Sequence, residues 1–187
     1  MFKSPRPIYP AICFFFLFSS LLTSAGCDKI YRYLHPEGAE ELDLLGNISP
    51  LESNAKLAIV QKLLKLYGYR VGNPDGVLGP NTREAIGKFQ ADAGLNVTKF
   101  MDGATWDKLS EFIDAGLVVN GELNYILIQN ALNKAGFDVG KADGRVGKKT
   151  KEAIMAFQKK QKLAADGRIG YKTLQAFLPY CPSASQK

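Results

Sequence analysis

Residues 57–112 align without a gap on residues 125–180 at an offset of 68 positions, and 16 of the 56 aligned pairs are identical. The shared residues include Gln61/Gln129, Gly68/Gly136, Asp75/Asp143, Gly76/Gly144, Gly79/Gly147, Thr82/Thr150, Phe89/Phe157 and Gln90/Gln158. Most are glycines, turn formers or periodic apolar residues, which are the positions that specify a backbone. A chain that repeats in this way is built from copies of one small unit. In 187 residues, two such copies leave little room for a separate catalytic domain.

What precedes the copies looks like an export address. Lys3 and Arg6 are followed by an apolar run from Ile12 to Leu22 and then by small residues. That order is expected of a signal peptide over residues 1–26. The run is too short for a membrane-spanning helix, which needs about 20 apolar residues. Ser24-Ala25-Gly26-Cys27 resembles a bacterial lipobox. The resemblance implies diacylation of Cys27, which then becomes the mature N-terminus, although Ser24 stands where leucine is usual. Ordinary cleavage nearby would instead leave Cys27 as a thiol able to bridge to Cys181, since an exported chain can oxidise such a pair. Asp28 favours retention at the inner membrane under the lipoprotein alternative. Residues 27–56, rich in Glu, Pro and Gly, are expected to act as an acidic tether with a short helix around Glu40–Leu45.

Each copy is expected to fold alone into three short helices. Val60, Leu63, Leu64 and Tyr67 recur at helical spacing, and Gly68 stops the run. A second helix begins at Pro80, where a missing amide proton costs nothing, and carries Ala85, Ile86 and Phe89. A third carries Trp106, Leu109 and Ile113, with Trp106 in the core because it aligns with Leu174. The second copy keeps the pattern through Ile128 and Leu132, then Ile154 and Phe157, then Leu174 and Phe177. No stretch alternates at period two. The expected fold is all-α: module one over residues 57–117, module two over 122–180 and a tail over 181–187.

The loop between the first two helices carries the signature. Asp75-Gly76-x-x-Gly79-x-x-Thr82 recurs as Asp143-Gly144-x-x-Gly147-x-x-Thr150, and Asp166-Gly167-x-x-Gly170-x-x-Thr173 precedes the last helix. The first copy has Thr98-Lys99 where that third Asp-Gly would align. Glycine after aspartate suits a turn with positive φ, and Thr82 or Asn81 is placed to cap the following helix. Gln90 and Gln158 are expected to be buried amides joining helix two to a loop. These motifs, with Gln61, Gly68-Tyr69, Phe89-Gln90 and their partners in the second copy, resemble the peptidoglycan-binding domain type 1. The resemblance covers nearly all of both copies. It implies three-helix modules that bind the cell wall without catalysis, or that dock an envelope protein such as a hydrolase or a secretion component.

Charge separates the two copies. Residues 57–112 hold 7 basic against 6 acidic side chains, whereas residues 125–180 hold 11 against 4. Lys148, Lys149 and Lys151 crowd the start of helix two, where the helix dipole already attracts anions. The aligned places in the first copy are Pro80, Asn81 and Arg83, of which Arg83 is the candidate ligand contact. The cluster is either a solvated face or a contact for the carboxylates of peptidoglycan or for acidic lipid headgroups. Tyr69 and Phe137, which follow the helix-stopping glycines, are either core or an aromatic rim for a sugar. Export argues against nucleic acid as a partner.

His35, the sole histidine, lies in the acidic tether, so histidine-based zinc sites and Ser/Cys–His nucleophiles lack their partner. Val71 and Thr82 occupy the first and last places of a would-be calcium loop, which needs acids there. No catalytic residue, metal or cofactor is expected. The expected protein is a wall-binding envelope protein, anchored in a membrane through lipid on Cys27.

Overall fold

The computed structural model describes residues 36–46, 48 and 52–182; Cys27 and the expected signal peptide lie outside them. The described chain is helical. Helix α1 (Pro36–Leu45) precedes the first module, which comprises α2 (Ala55–Leu66), α3 (Pro80–Asp92) and α4 (Gly103–Asp114). The second module comprises α5 (Tyr125–Lys134), α6 (Lys148–Lys160) and α7 (Tyr171–Phe177), followed by a 3-10 turn over Leu178–Tyr180. Between the modules lies a hairpin, β1 (Val118–Val119) against β2 (Glu122–Leu123), paired Val118 with Leu123. Asn120 and Gly121 turn it with φ of 55° and 77°. Two successive positive φ values are what a tight hairpin of this hand requires, and Asn-Gly supplies them. The all-α expectation holds, with this two-residue ladder as a minor addition. Among the described residues no helix is long and apolar enough to cross a membrane.

The helices start and stop for local reasons. The Asn54 and Asn124 side chains accept from the backbone N–H of Leu57 and Leu127, capping α2 and α5, and Asp102 caps α4 through Thr105. Helices α3 and α6 instead begin after Gly79 and Gly147 with no side-chain cap. Thr82 is therefore not the cap expected of it. It is buried, and its Oγ1 lies 3.1 Å from the amide nitrogen of Gln61.

That amide is the centre of each loop. Gln61 Oε1 accepts from the N–H of Gly76 at 2.7 Å, and its Nε2 also reaches Asp75 Oδ1 and the carbonyl of Val77. Gln129 repeats the pattern with Gly144, Asp143 and Arg145. Gln158 repeats it with Gly167, Asp166 and Arg168, as a buried amide joining α6 to the following turn. Gln90 does the same although its turn lacks Asp-Gly. Thr98 Oγ1 replaces the aspartate, and Lys99 takes the glycine's place with φ at 64°. A buried amide needs its partners, because an unsatisfied polar atom costs about 1–3 kcal/mol. The Asp-Gly signature is thus the outer half of a hydrogen-bonded plug whose inner half is glutamine. At Gly76 a side chain is excluded as well, because an added Cβ would lie 2.6 Å from the carbonyl oxygen of Asn54.

Two features depart from the sequence-based picture. Helix α1 is docked rather than free. Glu41, 3% exposed, accepts from both Arg83 Nη atoms at 2.6 and 2.7 Å and from the N–H of Met101 at 2.8 Å. Leu45 is buried, and Lys56 and Asn54 donate to the last carbonyls of α1. The modules, too, are joined. Tyr171, the first residue of α7, is buried beside Tyr67, Phe89 and Phe112 of the first module, with ring centroids 6.5, 5.2 and 5.6 Å away. The aligned places in the second module are Ala135, Phe157 and Tyr180. There Phe177 stacks on Phe157 at 4.4 Å, so the module closes its own core without an aromatic from elsewhere.

Candidate functional site

Tyr69 and Phe137 occupy the same place in the two modules and meet the same kind of neighbour. Each ring stands edge-on to a core phenylalanine at 5.8 Å, Tyr69 to Phe89 and Phe137 to Phe157. Both are half-buried and pack against the core. Their outer contacts differ because the aligned residue at the end of helix two differs in sign. The Tyr69 hydroxyl donates to Asp92 at 2.9 Å, whereas Lys160 Nζ sits 5.3 Å over the Phe137 ring. Burial, followed by that bond to a carboxylate, pushes the Tyr69 phenol well above its ordinary range.

Arg83 is placed differently from the expectation. Its two terminal nitrogens grip Glu41, one of them also donates to the carbonyl of Lys99, and its guanidinium lies 4.6 Å over the Phe100 ring. These bonds commit Arg83 to holding α1 on the first module.

Lys148, Lys149 and Lys151 are each exposed in the first turn of α6. Lys149 reaches Asp138 at 2.8 Å and Lys148 reaches Glu152 at 3.9 Å. Lys151 forms no ion pair among the described residues; its stem runs beside Gly167. The Lys149 bond, ahead of the bond from Gly140, holds the Asp138 carboxyl below its usual range. Exposed pairs of this kind contribute little and exchange readily for an incoming anion. The uncapped amides after Gly147 point the same way.

The predicted site residues do not converge on one pocket. Sequence reasoning missed a cleft of about 390 Å³ at the junction of the modules, walled by Tyr69, Asp92, Leu163, Arg168 and Lys172 and reaching Tyr171. A salt bridge of 2.9 Å from Lys172 to Asp92 crosses it. The signal that could have found it was Tyr171 itself. This large aromatic aligns with Gly103, where the first copy has no side chain at all.

Residues 53–109 and 122–177 each match the model of the peptidoglycan binding domain family. The chain belongs to that family. The family's description is of a domain that binds peptidoglycan. Among curated proteins, the localization factor PodJL of Caulobacter vibrioides is 35% identical over 85 residues, in two strains. That stretch covers 46% of this chain and 9% of PodJL. This chain thus corresponds to under a tenth of the relative's length. No solved structure matches significantly.

Proposed function

We propose that this protein is a non-catalytic, lipid-anchored envelope protein that holds peptidoglycan through both modules. The observation that carries it is the family match in both halves, to a domain that binds peptidoglycan. The lipobox-like Ser24-Ala25-Gly26-Cys27 supports an anchor at the other end of the chain. Exposed cations at the start of α6 are suited to the free carboxylates of stem peptides, and two modules held together bind with one ordering cost rather than two. Metabolic labelling with a fatty-acid analogue tests the anchor: wild type takes the label and Cys27→Ala does not. Equal labelling of both, or a Cys27–Cys181 disulfide found by mass mapping, refutes it.

A second function is favoured by one observation, the shared segment with a localization factor. In that case the modules position another envelope protein. Retention on purified peptidoglycan free of protein separates the two, because a docking module needs its protein partner.

A further inference from the structure

The junction cleft exists because module two is locked into module one at several points. The N–H of Tyr171 donates to the carbonyl of Tyr67 at 3.0 Å. Gly170 comes so close that an added Cβ would lie 2.9 Å from that same oxygen. The buried Tyr171 ring and the Lys172–Asp92 bridge complete the joint. A cleft between elements fixed in this way keeps its shape before a ligand arrives, which lowers the ordering cost of binding. Its volume of about 390 Å³ is in the range of small-ligand sites.

Its walls are chemically mixed in a specific way. Tyr69 is held rigid by its hydroxyl bond to Asp92 and offers an aromatic wall. Arg168 is exposed, and its backbone is pinned on both sides: its carbonyl accepts from Gln158 at 2.7 Å and its N–H donates to Asp166 at 2.9 Å. The Arg168 guanidinium forms no ion pair among the described residues. Lys172 is 61% exposed at its side chain and keeps donors beyond its bond to Asp92. The first copy has Phe100 and Ala104 at the places of Arg168 and Lys172. Its corresponding turn faces α1, where Met101 and Gly103 donate to Glu41 and Glu40. The cationic cleft therefore occurs at the junction and is not a property of each module.

We propose that this cleft is the recognition site for one muropeptide unit, an amino sugar carrying a peptide with free carboxylates. The sugar lies against Tyr69, a carboxylate is taken by Arg168 and Lys172, and Asp92 accepts from ammonium or hydroxyl groups. A planar guanidinium matches a carboxylate with two parallel bonds, and both aromatic and ionic features are then used by one ligand. This assignment rests on the peptidoglycan function proposed above and locates it. The basic start of α6 then serves as a second, salt-sensitive contact with the polymer rather than as the specific site.

The probe is the soluble disaccharide-tetrapeptide released from purified peptidoglycan by a muramidase, titrated into the purified protein by calorimetry, with pelleting on intact sacculi run in parallel. Arg168→Gln is expected to weaken binding of the soluble unit by about tenfold, the factor one charge-assisted contact supplies. Ala164→Trp, at an exposed position on the cleft wall, is expected to block it by filling the space. Both variants should melt like wild type, because neither side chain is part of the joint. If wild type pellets with sacculi while both cleft variants bind the soluble unit as wild type does, the cleft assignment is wrong and the peptidoglycan function stands. If wild type pellets but does not bind the soluble unit, the cleft assignment is again wrong. A wild type that does not pellet overturns both.

Discussion

The backbone N–H of Tyr171 donates to the carbonyl of Tyr67 across the module boundary, and the Tyr171 ring fills a space in the core of the other module. Tyr67 is committed on its other side, where its hydroxyl donates to the carbonyl of Leu109 at 2.8 Å. The Tyr171 hydroxyl, by contrast, is buried without a hydrogen-bond partner among the described residues. Tyr171 thus acts through its ring.

That division predicts opposite outcomes for two substitutions. Tyr171→Ala should lower stability by about 3–5 kcal/mol, as for other large-to-small core changes. Tyr171→Phe removes an unsatisfied buried hydroxyl, a group costing about 1–3 kcal/mol, and should be neutral or stabilising. Urea denaturation followed by circular dichroism reads both. A Phe variant as unstable as the Ala variant would mean that the hydroxyl is bonded.

Helix α1 should also melt with the first module rather than before it. Glu41→Ala leaves Arg83 without its bidentate partner and the N–H of Met101 without an acceptor. Breaking a buried ion pair costs roughly 3–5 kcal/mol, and the lower end applies because the Arg83 side chain is 29% exposed. A melting temperature unchanged from wild type would show that α1 is a free tether after all.

Gln129→Met keeps the length of the side chain and removes the hydrogen bonds of the loop plug. The N–H of Gly144 is then left without its acceptor, so the variant should lose about 1–3 kcal/mol. Equal loss is expected for Gln61→Met, since Gly76 meets Gln61 in the same geometry. An unfolding midpoint at the wild-type value in either variant would refute the plug.

Acid should weaken these same loops. Backbone bonds from Val77 and Arg145, ahead of the bonds from Gln61 and Gln129, hold the Asp75 and Asp143 carboxyls below their ordinary range. A carboxyl lowered in the folded state stabilises it fully above the unfolded value of about 3.9, and the gain disappears as pH falls through the lower folded value. Stability should be flat from neutrality down to about pH 5 and fall below about pH 4. In the double variant Asp75→Asn, Asp143→Asn the fall should be shallower. A slope identical to wild type would place the acid sensitivity elsewhere.

The features legible in the sequence are those that act within one copy. Gln158, Asp166 and Gly167 recur as a set because the buried amide, the turn and the positive φ need one another locally. Helix periodicity was legible because apolar residues at spacings of three and four leave few other folds. The partners of Tyr171 were not legible, because they lie 104, 82 and 59 positions away, at Tyr67, Phe89 and Phe112. Glu41 was hidden for a related reason: within an acidic stretch nothing distinguishes the one carboxylate that an arginine 42 positions away will bury. Asn120-Gly121 did carry a hairpin signal, but its strands are too short to show alternation. Arg83 looked available as a ligand contact only while α1 was taken as a loose tether.

Pelleting of the purified protein with protein-free sacculi, across salt concentrations, tests the central claim most directly. The account predicts that the protein sediments with the sacculi at 0.1 M salt and is partly released at 1 M, as the screening length falls from about 10 Å to about 3 Å. Release reflects screening of the exposed cations, those of α6 and Arg168 and Lys172 of the cleft alike. A protein that stays in the supernatant at 0.1 M salt, with its helical spectrum intact, would contradict the account.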